Sequence, residues 1–117
     1  MIDSTPLVDR NCTRAGRDAR ALTAAERAEL VPQTPDWRID DHSGIARLER
    51  VFTFKNFVEA LSFTNAVGAM AEAQDHHPAL LTEWGRVTVQ WWTHTVKGLH
   101  MNDFIAAAKT DRIYTER

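Results

Sequence analysis

Alternation of apolar and polar residues marks one long strand in the first half of the chain. From Ile45 to Phe54, every second residue is apolar except Arg50. The apolar positions on this face are Ala46, Leu48, Phe52 and Phe54, and those on the opposite, polar face include Arg47, Glu49 and Thr53. A period of two is the spacing of side chains along one face of a strand, so we predict a strand with one buried side. Residues 37–40 predict a shorter strand, which reaches the long one through a polar turn.

A helical period replaces the strand period after Asn56, which is a suitable N-cap residue. The residues that share the predicted buried stripe are Phe57, Leu61, Thr64, Gly68 and Ala71, flanked by Ala60, Val67 and Met70. Pro78 disfavours helical geometry at His77, so we expect this helix to end near Asp75.

A shorter helix precedes the strands, and a hairpin and a helix follow the central helix. Thr23 and Glu26 have the spacing of a capping box, and Pro32 ends the helix that they begin. Residues 79–83 and 87–96 predict a hairpin, in which Trp91 and Trp92 face opposite sides and at most one lies in the core. Residues 104–110 predict the last helix. The order α-β-β-α-β-β-α predicts an α+β fold, a four-stranded antiparallel sheet with three helices packed on one face.

The first 21 residues lack any apolar period. They are polar and contain the only cysteine, Cys12. We therefore predict a flexible N-terminal extension over residues 1–21 and a single folded domain over residues 22–117.

Composition and charge argue against several classes of partner and site. The 117-residue chain carries a formal net charge of −2, so no overall positive field attracts nucleic acid or an anionic membrane. No run of about 18 apolar residues predicts a membrane span. One cysteine cannot form an intramolecular disulfide or a thiolate metal site. Because residues 1–20 also lack an apolar signal core, we expect a cytoplasmic protein.

Three of the five histidines are expected to lie close together. His76 and His77 end the central helix, and His94 lies on the hairpin strand that follows. Histidine has the unperturbed pKa nearest neutrality, so such a group can provide one protonated and one neutral ring, an acid and a base. From the residues alone, the group indicates an acid–base site, a metal site, or ordinary surface and capping histidines.

Several sequence elements occur in a characteristic order around these histidines. They are Glu72-x-x-x-His76-His77-Pro78, Trp84, Thr93-His94, Gly98-Leu99 and Asp103, preceded by Leu22–Arg27, Trp37 and Phe52–Phe57. In this order and spacing they resemble the pterin-4a-carbinolamine dehydratases over about residues 22–110. The fold of that family, a four-stranded antiparallel sheet with three helices, agrees with the order of elements predicted above.

The resemblance implies an enzyme that removes water from a 4a-hydroxytetrahydropterin and forms the quinonoid dihydropterin. It implies that His76, His77 and His94 form the catalytic site, without a metal or a cofactor. Of these, His76 and His94 are our expected proton-transfer pair, and His77 is expected to orient the ligand or act as a second acid.

Four further residues are candidates for substrate binding. Glu72 lies one helical turn before His76 and is expected to fix its tautomer, unless it is simply a solvated helix residue. Trp37 and Trp84 offer aromatic faces for the flat pterin ring, or they pack in the core and the hairpin. Asp103 contacts the ligand or stabilises the start of the last helix. His100 stands where the family usually carries a capping Ser or Thr, which leaves Asn102 as an alternative cap for a shorter helix.

The resemblance also implies a homodimer or homotetramer and a functional link to an aromatic amino acid hydroxylase, whose reaction generates the carbinolamine. Two other classes of function stay open. One is a non-catalytic binding module or dimerisation cofactor, for which the small residues of the central helix suit self-association. The other is a metalloprotein with histidine and carboxylate ligands, although adjacent histidines do not place two ligands on one helix face.

Overall fold

The structure, a computed structural model, describes residues 4–117. The helices are α1 (Ala24–Leu30), α2 (Phe57–Gln74) and α3 (Met101–Glu116), and the strands are β1 (Arg38–His42), β2 (Ile45–Thr53), β3 (Ala79–Glu83) and β4 (Arg86–Trp91). The strands form one antiparallel sheet in the order β1-β2-β4-β3. The predicted α+β fold is therefore confirmed. Within residues 4–117, no helix has both the length and the apolar character needed to cross a membrane.

The period-two pattern of β2 locates the core. Leu48 pairs with Trp91 and Phe52 pairs with Val87 across the β2–β4 ladder, and all four side chains are buried. One residue of the predicted polar face departs from this pattern, since Glu49 is only 8% exposed. Its carboxylate accepts hydrogen bonds from Arg38 and Gln90 on the neighbouring strands, which compensate the cost of burying the charge.

The buried face of α2 agrees with the predicted stripe at Ala71 and at the flanking residues Ala60 and Val67, and differs from it in the first turns. Asn56 caps the helix as expected, accepting the N–H of Glu59 at 2.9 Å. The buried residues are Ala60, Phe63, Val67 and Ala71, whereas Phe57 and Leu61 are 43% and 42% exposed. Apolar residues occur on more than one side of this helix, so periodicity alone could not choose between the faces. The ring of Phe63 lies 4.8 Å from that of Phe52 on β2. This contact places the side of the helix that carries Phe63 against the sheet.

The chain between β4 and α3 is less regular than predicted. Strand β4 ends at Trp91, and residues 94–96 form a 3-10 turn rather than the end of a strand. Trp91 is fully buried and Trp92 is half-buried, which confirms that only one of the two lies in the core. The last helix is longer than predicted and continues to Glu116, because Tyr114 packs its ring 4.9 Å from that of Phe52.

His100 itself caps α3. Its Nδ1 atom accepts the N–H of Asn102 at 3.1 Å, and the Asp103 carboxylate accepts the N–H of His100 at 2.9 Å. The alternative cap at Asn102 was therefore wrong. A ring nitrogen of this histidine takes the place of the hydroxyl that usually caps a helix.

The N-terminal segment packs against α3. Leu7 is 3% exposed, the Lys109 ammonium donates to the carbonyl of Val8 at 2.9 Å, and Arg112 pairs with Asp9 at 3.1 Å. These contacts join the segment to positions about 100 residues away in sequence, which no local pattern indicates. The flexibility expected of residues 1–21 stays a prediction.

Candidate active site

A left-handed residue turns the chain at the end of α2 and separates the two adjacent histidines. Asp75 has a φ of 51°, and its N–H bonds back to the carbonyls of Ala71 and Glu72. The irregular backbone that two neighbouring rings need in order to reach one cleft is therefore present. It is provided by Asp75 as well as by the restriction that Pro78 imposes.

His76 is held from two sides at the floor of the cleft. Its Nε2 atom lies 2.6 Å from Oδ1 of Asp103, and its ring stacks on the buried Trp91 at 5.4 Å with 18° between the planes. The imidazole is only 12% exposed. An ionised carboxylate can only accept a hydrogen bond, so this contact favours the tautomer of His76 that carries its proton on Nε2.

Asp103 is fully buried and has a partner for each oxygen. Its Oδ2 atom accepts from the hydroxyl of Thr93 and from the N–H of His100, each at 2.9 Å, while Oδ1 faces His76. Three donors are what a buried carboxylate needs. Asp103 therefore lies behind His76, and its bond to the N–H of His100 agrees with the predicted alternative that it stabilises the start of the last helix. The other alternative, a ligand contact, finds no exposed carboxylate.

His77 points to the rim of the cleft. Its Nε2 atom lies 2.8 Å from Oε2 of Glu72, and both side chains are largely exposed, at 58% and 80%. The expected pairing of Glu72 with His76 is wrong. His76 follows the left-handed residue and so lies outside the helix whose spacing suggested the pairing.

His94 reaches the cleft from the 3-10 turn after β4. Its ring lies 5.0 Å from that of Trp92, and the Arg47 guanidinium lies 3.8 Å from the centre of the Trp92 ring. This stack orients an otherwise exposed imidazole, to which no carboxylate in the described chain, residues 4–117, is bonded.

The three histidines line one open cleft of about 560 Å³. This volume lies within the range of about 300–1,000 Å³ that is usual for small-molecule sites. The other walls come from Gln74 at the end of α2, Asn102 at the start of α3, and residues 11–15 of the N-terminal segment. Sequence reasoning missed all of these as cleft residues. Asn102 drew attention only as a helix cap.

The two tryptophans predicted to stack on a ligand lie away from this cleft. Trp37 is a core residue, 5% exposed, whose indole N–H donates to Asp111 at 2.8 Å. Trp84 is 74% exposed in the turn that joins β3 and β4. Neither side chain is among those that line the cleft. The packing alternative describes Trp37, and the hairpin alternative describes the position of Trp84.

The cleft histidines are not arranged as a set of metal ligands. Among residues 4–117, the side chains whose ligand atoms all lie within 4.8 Å of one another are Asp40, His42 and Glu49, on β1 and β2. Glu49 in that group is already paired with Arg38. Within that part of the chain, His76, His77 and His94 do not form such a close group.

Fold and cleft together define a small α+β protein in which three histidines line one cleft. The sequence profile of the Pterin 4 alpha carbinolamine dehydratase family matches residues 20–113, and the chain belongs to that family. Among solved structures, it is similar to the transcriptional coactivator/pterin dehydratase from Brucella melitensis. The two share 30% sequence identity and a TM-score of 0.73 over 81% of this chain and 99% of that one. The predicted family is confirmed.

Proposed function

We propose that the protein dehydrates a 4a-hydroxytetrahydropterin to the quinonoid dihydropterin, with the cleft histidines as proton carriers. The observation that carries this proposal is the pairing of His76 with the buried Asp103 at the floor of the cleft, in a chain of the pterin dehydratase family. The substrate would arise where an aromatic amino acid hydroxylase oxidises its tetrahydropterin.

The reaction is an elimination and requires two proton transfers. The C4a–O bond breaks while the hydroxyl group receives a proton and leaves as water. The proton on N5 is removed, and the electron pair that it leaves forms the C4a=N5 double bond. No electrons are gained or lost overall, so acid and base groups suffice. Each such group contributes about 10²–10⁴-fold to the rate.

His76 and His94 are the proposed proton-transfer pair. The Nε2 atom of His76 is committed to Asp103, so Nδ1 is the nitrogen that exchanges a proton with the ligand. Asp103 compensates the positive charge when His76 carries a second proton, as the carboxylate of a catalytic triad does for its histidine. His94 is the exposed partner, and His77 on the rim is the proposed orienting group or second acid.

The proposed function can be tested by an assay on freshly generated carbinolamine. Its loss is followed by absorbance with and without the protein, in the presence of a metal chelator. We expect acceleration over the spontaneous rate that survives chelation and disappears in a His76→Ala/His94→Ala double variant. A folded protein that gives no acceleration would overturn the proposal, and acceleration that chelation abolishes would favour a metalloenzyme.

A second candidate function, protein binding, has one structural observation in its favour. The first two turns of α2 expose Phe57, Val58 and Leu61, with Val58 75% exposed. Monomeric proteins rarely leave such a group of apolar side chains in water. We propose that this face joins copies of the chain in a homodimer or homotetramer. The combined description of the Brucella melitensis relative, coactivator and dehydratase, is compatible with a further partner there.

Sedimentation of Val58→Glu tests the proposed interface. We expect a smaller species than wild type. Leu81→Glu is the matched control, since Leu81 is 57% exposed on the sheet and should leave the assembly unchanged. An assembly broken by the control and not by Val58→Glu would place the interface on the sheet instead.

A further inference from the structure

One wall of the histidine cleft comes from a segment outside the region that matches the family. Residues 11–15 line the cleft, whereas the family profile begins at residue 20. This wall is therefore a property of the present chain rather than of the cleft that the family profile describes. Any contribution of this wall to ligand binding is therefore additional to that of the histidines in the proposed dehydratase site.

The wall is fixed by hydrogen bonds from both helices that border the cleft. The N–H of Cys12 donates to Oε1 of Gln74 at 2.7 Å. The N–H of Thr13 donates to Oδ1 of Asn102 at 3.0 Å, and Nδ2 of Asn102 donates back to the carbonyl of Thr13 at 2.5 Å. Asn102 is only 5% exposed, so its amide is committed to these contacts. Residues 12 and 13 are thereby held in position, and Arg14 follows them directly.

The wall brings positive charge to the cleft. Residues 10–20 contain four arginines and one acidic residue, in a chain whose net charge is −2. Arg14 lines the cleft and is exposed, and it makes no ion pair with any residue in the described range 4–117. The acidic side chain that lines the same cleft is Asp75. A guanidinium that lines a cleft without an internal partner is suited to bind a phosphate or carboxylate of a ligand through two parallel hydrogen bonds.

We propose that Arg14 is a specificity residue that binds an anionic group, a phosphate or a carboxylate, on the side chain of the pterin. The inference rests on the proposed dehydratase function. The pterin ring, which must exchange protons with His76 and His94, occupies the histidine side of the cleft. The side chain of the pterin then extends toward residues 11–15, where the cation is the guanidinium of Arg14.

Three substrates that differ in the charge of their side chain measure the contribution of Arg14 to specificity. The carbinolamines of three tetrahydropterins are compared, one with a neutral hydroxylated side chain, one with a phosphate and one with a glutamate-type carboxylate. The variant is Arg14→Gln. The matched control is Arg17→Gln, because Arg17 is exposed on the same segment and does not line the cleft. Equilibrium binding of the corresponding oxidised, unreactive pterins is measured alongside by their fluorescence.

Arg14→Gln should lower kcat/KM for one or both anionic substrates by about fivefold to tenfold, mainly through KM. The neutral substrate and the control variant should change less than about twofold, and added salt should weaken the wild-type preference. The phosphate and carboxylate arms show which anion is preferred. Equal effects of Arg14→Gln and Arg17→Gln on both anionic pterins would overturn the inference. Failure of the wild type to turn over any of the three would instead refute the dehydratase function, and fluorescence binding would then still decide the role of Arg14.

Discussion

The Nε2 atom of His76 lies 2.6 Å from Oδ1 of Asp103, although the two residues are 27 positions apart in sequence. His76 follows the end of α2, and Asp103 belongs to the first turn of α3. The contact therefore brings the ends of two helices together beneath the cleft. It also gives the carboxylate two functions, since Asp103 accepts the N–H of the capping residue His100 as well.

Replacing Asp103 with Asn should separate these two functions. The amide keeps the shape and can still accept the N–H of His100, but it cannot compensate a charge on His76 or enforce its tautomer. We expect kcat to fall by about 10²–10⁴-fold, as in catalytic triads that lose their carboxylate. Glu72→Gln, which alters the exposed partner of His77, is the control and should have a much smaller effect. Wild-type turnover by a folded Asp103→Asn protein would show that the contact is purely structural.

Single histidine substitutions should rank the proposed roles. His76→Ala and His94→Ala should each lower kcat by about 10²-fold or more, because each removes one proton carrier. His77→Ala should act mainly on KM. His42→Ala is the control, since His42 is exposed on β1 and pairs with Asp40 at 3.1 Å, and it should leave turnover unchanged. Full turnover by His94→Ala would remove that residue from the mechanism.

Urea denaturation of Leu7→Ala should decide whether the N-terminal segment is docked in solution. Removing a buried leucine side chain leaves a cavity, and we expect the free energy of unfolding to fall by about 2 kcal/mol. Leu81→Ala, at an exposed position, should cost less than about 0.5 kcal/mol. If the two variants are equally stable, residues 1–21 are flexible, as the sequence alone predicts.

Alkylation should report the surroundings of Cys12. Burial, and then the negative charge of Asp103, raise the pKa of this thiol from 9.0 to about 11. At pH 8 the folded protein should therefore contain about a hundredfold less thiolate than an ordinary thiol, and react correspondingly more slowly with iodoacetamide. The urea-unfolded chain is the control and should react at the ordinary rate. Equal rates in both states would show that Cys12 is not packed against the cleft.

The same shift predicts a dependence of stability on pH. The folded state holds the thiol proton more tightly than the unfolded state does, so this contribution to stability is complete below pH 9. It should be lost as the pH rises through about 11. Cys12→Ser should lack this part of the alkaline loss, which unfolding measurements between pH 8 and 11 would detect. An identical alkaline profile for the two proteins would refute the assignment.

Much of the fold could be predicted because its signals are local. The alternation in β2, the capping box at Thr23, the N-cap at Asn56 and the break before Pro78 each depend on neighbouring residues. Where a local signal was ambiguous, the prediction failed. The apolar residues of α2 occupy more than one side of the helix, and only the packing of Phe63 against Phe52 selects the buried one.

The candidate site could also be predicted only in part. His76, His77 and His94 could be named from the sequence because their residue type and order are distinctive. Their partners could not, since Asp103 reaches His76 and Glu72 reaches His77 only after a left-handed residue has turned the chain. The sequence by itself determined the order of the helices and strands of this protein and the residue types of its candidate site. Only the tertiary structure decided which carboxylate supports which histidine and that residues 11–15 complete the cleft, because those contacts join segments whose separation in sequence carries no local pattern.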